Sequence, residues 1–137
     1  LAATVATLTE LRNRNTAQTL ARTGAALKQR LNDVASDVGV SICCTGVDYH
    51  PHLEFSVEDP VLGNKIATLY VQEMAKRGHH GYASFYLNES QGEVEIEMVS
   101  DAAREVFALI GETIDDGRID ERLEAEDRQE FFRRLVT

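Results

Sequence analysis

The side chains best suited to chemistry near neutral pH are four histidines, His50, His52, His79 and His80. Imidazole titrates in that range, moves protons and binds metals. His50 and His52 flank Pro51, and His79 and His80 sit in the turn Gly78-His79-His80-Gly81. Neither pair has metal-ligand spacing such as H-x-x-x-H on a helix, so ordinary loop histidines outweigh a metal site. Because loops carry function, Tyr49, His50 and His52 in one turn and His79, His80 and Tyr82 in the other are the candidates for lining a substrate cleft. Ser90 has no G-x-S-x-G around it and reads better as a helix cap. The sequence holds neither G-x-G-x-x-G nor G-x-x-x-x-G-K. Lys28, Lys65 and Lys76 fall on amphipathic helices at positions expected to face water, whereas a Schiff-base lysine needs a desolvated site. On chemistry alone the chain carries no complete active site, and no residue is assigned to catalysis, to a cofactor or to a metal.

The elements that position these turns follow from one stretch, Asp59 to Leu87. Asp59 and Pro60 make a helix start, an acidic cap followed by proline where its missing N–H costs nothing. Ile66, Leu69, Tyr70 and Met74, joined by Val61, Leu62 and Ala75, recur at helical spacing. Glu73, Lys76 and Arg77 are expected to face water, and Gly78 supplies the stop. Tyr82-Ala83-Ser84-Phe85-Tyr86-Leu87 is aromatic-rich and reads as a strand.

Upstream, Leu1, Val5, Leu8 and Leu11 share a helical face. A second helix, Thr16 to about Asp37, carries Leu20, Leu27, Leu31, Val34, Ala35 and Val38, and ends at Gly39. Gly24 inside it implies close packing, since glycine there costs up to about 1 kcal/mol against alanine. Val40 to Thr45 and His52 to Val57 alternate and form a hairpin, with Leu53, Phe55 and Val57 on one face. Downstream, Val94 to Met98 alternates like a strand. Ser90-Gln91-Gly92-Glu93 has capping-box spacing, however, and Val94, Met98, Ala102, Val106 or Phe107, and Ile110 continue one stripe. The helix reading, from about Gln91 to Ile114, is the stronger. Ile119 to Leu123 is a short helix or turn, and Phe131, Phe132 and Leu135 lie in a last segment with Arg133 and Arg134 exposed. The expected fold is α+β, an α/β sandwich: a small three-stranded, mainly antiparallel sheet, its third strand beside the first, with helices on one face.

The 137 residues are enough for one domain with a modest core. With 43% apolar and 27% charged residues the chain is globular. Its net charge of −9, from 23 acids against 14 bases, disfavours nucleic acid and anionic membranes as partners. There is no apolar run of about 18 residues and no signal-peptide pattern. Cys43 and Cys44 are strand neighbours that point to opposite faces, so they cannot easily bond to each other, and a reducing, cytoplasmic setting fits. Leu1 stands inside a helix without a preceding Met, which suggests a piece of something longer.

Several stretches, in order, match one family. They are Leu1-Ala2-Ala3 through Leu11; Thr23-Gly24 with Leu27 and Leu31; and Thr45-Gly46 with Pro51-His52-Leu53 and Phe55. Then follow Leu69-Tyr70-Val71-Gln72-Glu73-Met74 with Arg77-Gly78, and Phe85-Tyr86-Leu87-Asn88 with Ser90. The chain resembles the carboxy-terminal small domain of class III aminotransferases, pyridoxal-phosphate enzymes of fold type I. Within them it is similar to the glutamate-1-semialdehyde 2,1-aminomutase-like branch. The Q-E-M-x-x-R-G run is the most specific match, and Phe131 to Leu135 resembles a tail of one subgroup. Gln91 and Gly92 depart from the His-Thr that often follows the serine in relatives.

The resemblance implies a parent enzyme that uses pyridoxal phosphate to move an amino group. Its cofactor lysine, pyridinium acid and phosphate cradle would lie in a large domain upstream of Leu1. Residues 1–137 would then be one small domain, with residues 1–14 a helix linking to that missing large domain. The chain would be inactive alone, close one wall of the substrate cleft and support a homo-oligomer, a dimer. The rival expectation is a stand-alone α/β binding or oligomerisation module without catalysis. Apolar Val5, Leu8 and Leu11 need a neighbour, which favours the piece of a longer enzyme, and without the large domain self-association through Leu1 to Leu11 is expected.

Overall fold

The structure is a computed structural model that describes residues 1–125. The expected features of Phe131 to Leu135 lie outside the described residues. Seven elements follow in order: α1 (Ala2–Asn13), α2 (Thr16–Val38), β1 (Ile42–Val47), β2 (His50–Phe55), α3 (Pro60–Lys76), α4 (Glu93–Asp116) and α5 (Ile119–Arg122).

The helix signals behave as their chemistry requires. The Asp59 carboxylate accepts from the Val61 N–H at 2.9 Å, and Pro60 opens α3. Gly39 ends α2 in the left-handed region at φ 74°, which glycine adopts without strain. Leu27, Leu31 and Val34 of α2 meet Ile66, Leu69, Tyr70 and Met74 of α3 and Val106, Phe107 and Ile110 of α4 in one core. Each large side chain buried there contributes about 1.5–3 kcal/mol. Ile42, Cys44 and Leu53 point into that core from the hairpin, while Cys43 and Glu54 face out. The strands therefore alternate as read, with helices against the inner face.

Three expectations are corrected. First, the sheet has two antiparallel strands, with Cys44 opposite Leu53 and Thr45 opposite His52. The segment 82–87 contributes only a single antiparallel bridge, Ser84 to His52, and it lies beside β2, not β1. Leu53 N–H donates to the Ala83 carbonyl at 2.7 Å and Phe85 N–H to the Pro51 carbonyl at 2.9 Å. The reciprocal bond at the second pair cannot form, because Pro51 has no N–H, so the ladder stops there. On the other side, α2 side chains occupy the edge of β1. Asn32 accepts from Cys44 N–H at 2.7 Å and donates to its carbonyl at 3.1 Å, while Lys28 donates to the Gly46 carbonyl at 2.9 Å.

Second, α4 starts at Glu93, not at Gln91, with Gly92 as its cap. Glu95, not Glu93, reaches back to the Gly92 N–H at 2.7 Å, and Gly92 has no side chain to return the bond. Ser90 does not cap the helix; its N–H donates to Asn88 Oδ1 at 2.9 Å. The inward face is also set differently from the stripe expected. Val94 and Met98 are exposed, whereas Ile96 and Val99 pack on the core and Ser100, Ala102 and Ala103 are buried. The small residues let α4 pack closely on α2, and Ser100 satisfies its hydroxyl on the Ile96 carbonyl at 2.6 Å.

Third, Glu73 does not face water: the residue is 8% exposed. Val61 and Ala75, placed on the apolar stripe, are exposed instead. Helix α1 buries no residue, and it shows Leu1, Val5, Leu8 and Leu11 to solvent.

Gly24 performs as its position in α2 suggested. A Cβ there would lie 1.4 Å from the Asp48 carbonyl oxygen and 2.8 Å from Leu87 Cδ1, so hairpin loop and helix touch backbone to backbone.

Candidate functional site

The principal concavity among the described residues is a cleft of about 510 Å³, within the usual range of ligand pockets, about 300–1,000 Å³. Tyr70 and Met74 bring the end of α3 to it, and the turn Gly78–Tyr82 forms its rim. Segment 84–87 makes one wall, and Gln91, Glu95, Ile96, Met98 and Val99 from the start of α4 make the other. The turn is formed because α3 stops at Arg77 and Gly78 enters the left-handed region at φ 84°, while His79 N–H reaches back to the Met74 carbonyl at 2.9 Å.

Of the six candidate residues, His79, His80 and Tyr82 line this cleft. Tyr49, His50 and His52 do not. His50 and His52 belong to β2, and Tyr49 is an exposed residue of the β1–β2 turn. His50 stacks on Tyr86, with ring centroids 4.4 Å apart, which adds a side-chain contact between the hairpin and the cleft wall. The Nε2 of His50 is buried and has no hydrogen-bond partner. His52 Nε2 lies 3.3 Å from both Thr45 Oγ1 and Glu54 Oε1 on the outer face of the hairpin. Glu54 is held below the usual carboxylate range, mainly by the Thr45 hydroxyl and then by His52. No group of three or more His, Cys, Asp or Glu able to hold a metal occurs among the described residues.

Sequence reasoning missed Tyr86, Gln91, Glu95 and Met98 as lining residues. Only the phase of the α4 stripe could have shown Met98 and Glu95 turned toward the cleft, and that phase is set by the small buried residues further along the helix. Glu95 is the one carboxylate lining the cleft, and its pKa is lowered by the Gly92 N–H.

The Q-E-M-x-x-R run has a structural role that its polarity concealed. Glu73 accepts from Gln72 at 3.0 Å, Lys76 at 2.8 Å and Arg77 at 3.0 Å. Burial opposes its charge, but the bonds from Lys76, Gln72 and Arg77 outweigh burial and bring the carboxyl down to about 2. Arg77 reaches Glu105 of α4 at 2.9 Å. Gln72 donates to the Arg122 carbonyl at 2.9 Å and accepts from the Glu124 N–H at 2.7 Å. The run thus pins α4 and the chain after α5 to α3, and so holds the rim of the cleft.

The residues described do not by themselves fit pyridoxal phosphate. No lysine or arginine lines the cleft, and the charged side chain that does, Glu95, would repel a phosphate. Lys28 pairs with Asp48 at 2.6 Å, Lys65 with Asp120, and Lys76 with Glu73 and Glu124. For Lys76 the bonds from Glu124 and Glu73 raise the ammonium above its ordinary value and so favour its charged form.

No family model matches the chain, and no curated protein matches it. Among solved structures, it is similar to the FumI protein of Sphingopyxis sp. MTA144, determined in its pyridoxal-phosphate internal aldimine form. The TM-score is 0.72 at 22% identity, over 83% of this chain and 27% of the FumI chain. The likeness is one of fold: this chain has the architecture of a part of a pyridoxal-phosphate protein. It spans about a quarter of that neighbour's length.

Proposed function

We propose that this chain is the carboxy-terminal small domain of a pyridoxal-phosphate-dependent aminotransferase or aminomutase of class III, on the glutamate-1-semialdehyde aminomutase-like branch. The observation that carries the reading is the fold likeness to FumI, which takes in most of this chain and about a quarter of the other. The order of the Thr23-Gly24, Gln72-Glu73-Met74 and Arg77-Gly78 matches supports the class. The cofactor, when bound in the intact enzyme, would supply the electron sink for moving the amino group. The lysine, the pyridinium acid and the phosphate cradle would come from the large domain.

In this reading the present residues build a wall. His79, His80 and Tyr82 stand on the rim of the cleft, and the large domain would face that rim. Glu73 and Arg77 hold that rim against α4. Exposed α1 would seat against the large domain, and the intact protein would be a homo-oligomer in a reducing, cytoplasmic setting.

The test is to read the gene upstream of Leu1 and express the longer product. An in-frame segment that gives visible absorbance of bound pyridoxal phosphate, lost on changing one lysine of that segment to alanine, supports the reading. A stop codon upstream, with a start codon near Leu1, overturns it. The chain would then be a stand-alone α/β binding or oligomerisation module.

A further inference from the structure

Two exposed apolar surfaces of this chain carry opposite charge. The first is α1. Leu1, Val5 and Leu8 follow at i, i+4 and i+7, with Leu11 beside them, and all four are exposed. That is the anchor spacing with which an amphipathic helix lies in an apolar groove. Arg12, one turn beyond Leu8 on the same face, forms no ion pair among the described residues. Arg14 is already engaged, by Glu10 at 3.0 Å and Glu89 at 3.8 Å. Beyond α1 the chain adds Arg22, Lys28 and Arg30 before its next acid, Asp33.

The second surface is the cleft. Leu27, Tyr70 and Met74 line it from the core, and its rim shows Tyr82, Tyr86 and Met98 to solvent. Val94, one turn before Met98 on α4, extends the exposed apolar strip. From Glu89 to Asp101 the chain has acids and no base. Glu93, Glu97 and Asp101 are exposed and form no ion pair among the described residues. Helix α1 lines no part of its own cleft, and only Arg14 and Asn15 join it to α2. A second copy carries no such tether.

We propose that α1 of one copy docks in the cleft of a second copy. Val5 and the leucines lie on Tyr82, Tyr86, Met98 and Val94, and Arg12 lies beside the free acids of α4. The contact is heterologous, and a two-fold pair makes it twice, each copy giving a helix and receiving one. Burial of both apolar surfaces drives the docking. Opposite charge favours the cleft over a second α1, which carries the same unpaired cation. The inference goes beyond the enzyme reading and does not rest on it; in a longer product an upstream domain would compete for α1.

Light scattering on the 137-residue chain and two variants separates this docking from α1 packing on α1. Leu8 is 62% and Met98 57% exposed, so Leu8→Glu and Met98→Glu should leave the core intact, which unchanged far-UV circular dichroism checks. The parent should be a dimer, and each variant alone a monomer at the same concentration. An equimolar mixture should recover a dimer, at higher concentration than the parent needs, because one pairing of intact α1 with intact cleft remains. A dimeric Met98→Glu overturns the proposal, since α1 would then bind elsewhere. A parent that is monomeric at high concentration overturns it too, as does a mixture that stays monomeric. Tyr86→Ser replaces Met98→Glu as the cleft variant if the latter loses helix content.

Discussion

The Cα of Gly24 faces the carbonyl of Asp48 so closely that a Cβ would stand 1.4 Å from the oxygen. Asp48 cannot easily retreat, because Lys28, one turn further along α2, holds both its carboxylate at 2.6 Å and the Gly46 carbonyl at 2.9 Å. Gly24→Ala therefore has to separate helix from hairpin. It should cost about 3 kcal/mol, at the upper end for overpacking. A urea titration checks this, and a midpoint within error of the parent would show that the loop yields freely.

Glu73 gives the fold a pH dependence. Its pKa is depressed in the folded chain to about 2, so the native state binds fewer protons than the unfolded one as pH falls. The contribution, about 3 kcal/mol, is complete above the ordinary glutamate value and is lost as pH falls from about 5 to 2. Glu73→Gln should lower stability at neutral pH and flatten the acid limb. Parallel acid limbs in parent and variant would assign the acid sensitivity to other carboxylates.

The two cysteines should react on different schedules. Cys43 is exposed and Cys44 buried, and burial, aided by the neighbouring Cys43, pushes the Cys44 thiol up to about 12. A disulfide reagent should label one thiol in native protein and two in denaturant. Fast labelling of both in the native state would mean that the hairpin opens locally.

Helix α1 should drive association in this chain. It buries none of its own residues and exposes three large apolar side chains, Val5, Leu8 and Leu11, with Leu1 exposed just before it. Leu8→Glu together with Leu11→Glu should shift light scattering from a larger species to a monomer without loss of helix content elsewhere. A parent that stays monomeric at high concentration would contradict this.

What could be read beforehand was local. Asp59-Pro60, Gly39 and Gly78 mark helix ends through backbone chemistry that needs no neighbour, and they hold to within a residue or two. The alternation of Ile42 to Phe55 likewise fixed the inner face of the hairpin. The errors lie where a neighbour decides. Segment 82–87 has strand composition, but its pairing depends on Pro51 across the gap. Glu73 is charged and falls on a helix, yet three donors from its own helix let it go under. The phase of α4 follows small Ser100 and Ala103, which a search for large apolar residues passes over. At the cleft, the His79–Tyr82 turn was legible as a loop beside a helix end. Tyr86 and Glu95 were not, because their side of the cleft exists only once α4 is in place.

Asn32 presents to Cys44 the same donor and acceptor that another strand would, and Lys28 occupies the next carbonyl along. Growth by strand addition is therefore closed off on that flank, and segment 82–87 occupies the opposite one. The folded hairpin thus leaves little free backbone edge for another copy to pair with. Association through α1 would be side-chain mediated, hence tunable by point changes on that helix. Strand-to-strand aggregation would first require α2 to peel away, so its onset should track global unfolding rather than protein concentration alone.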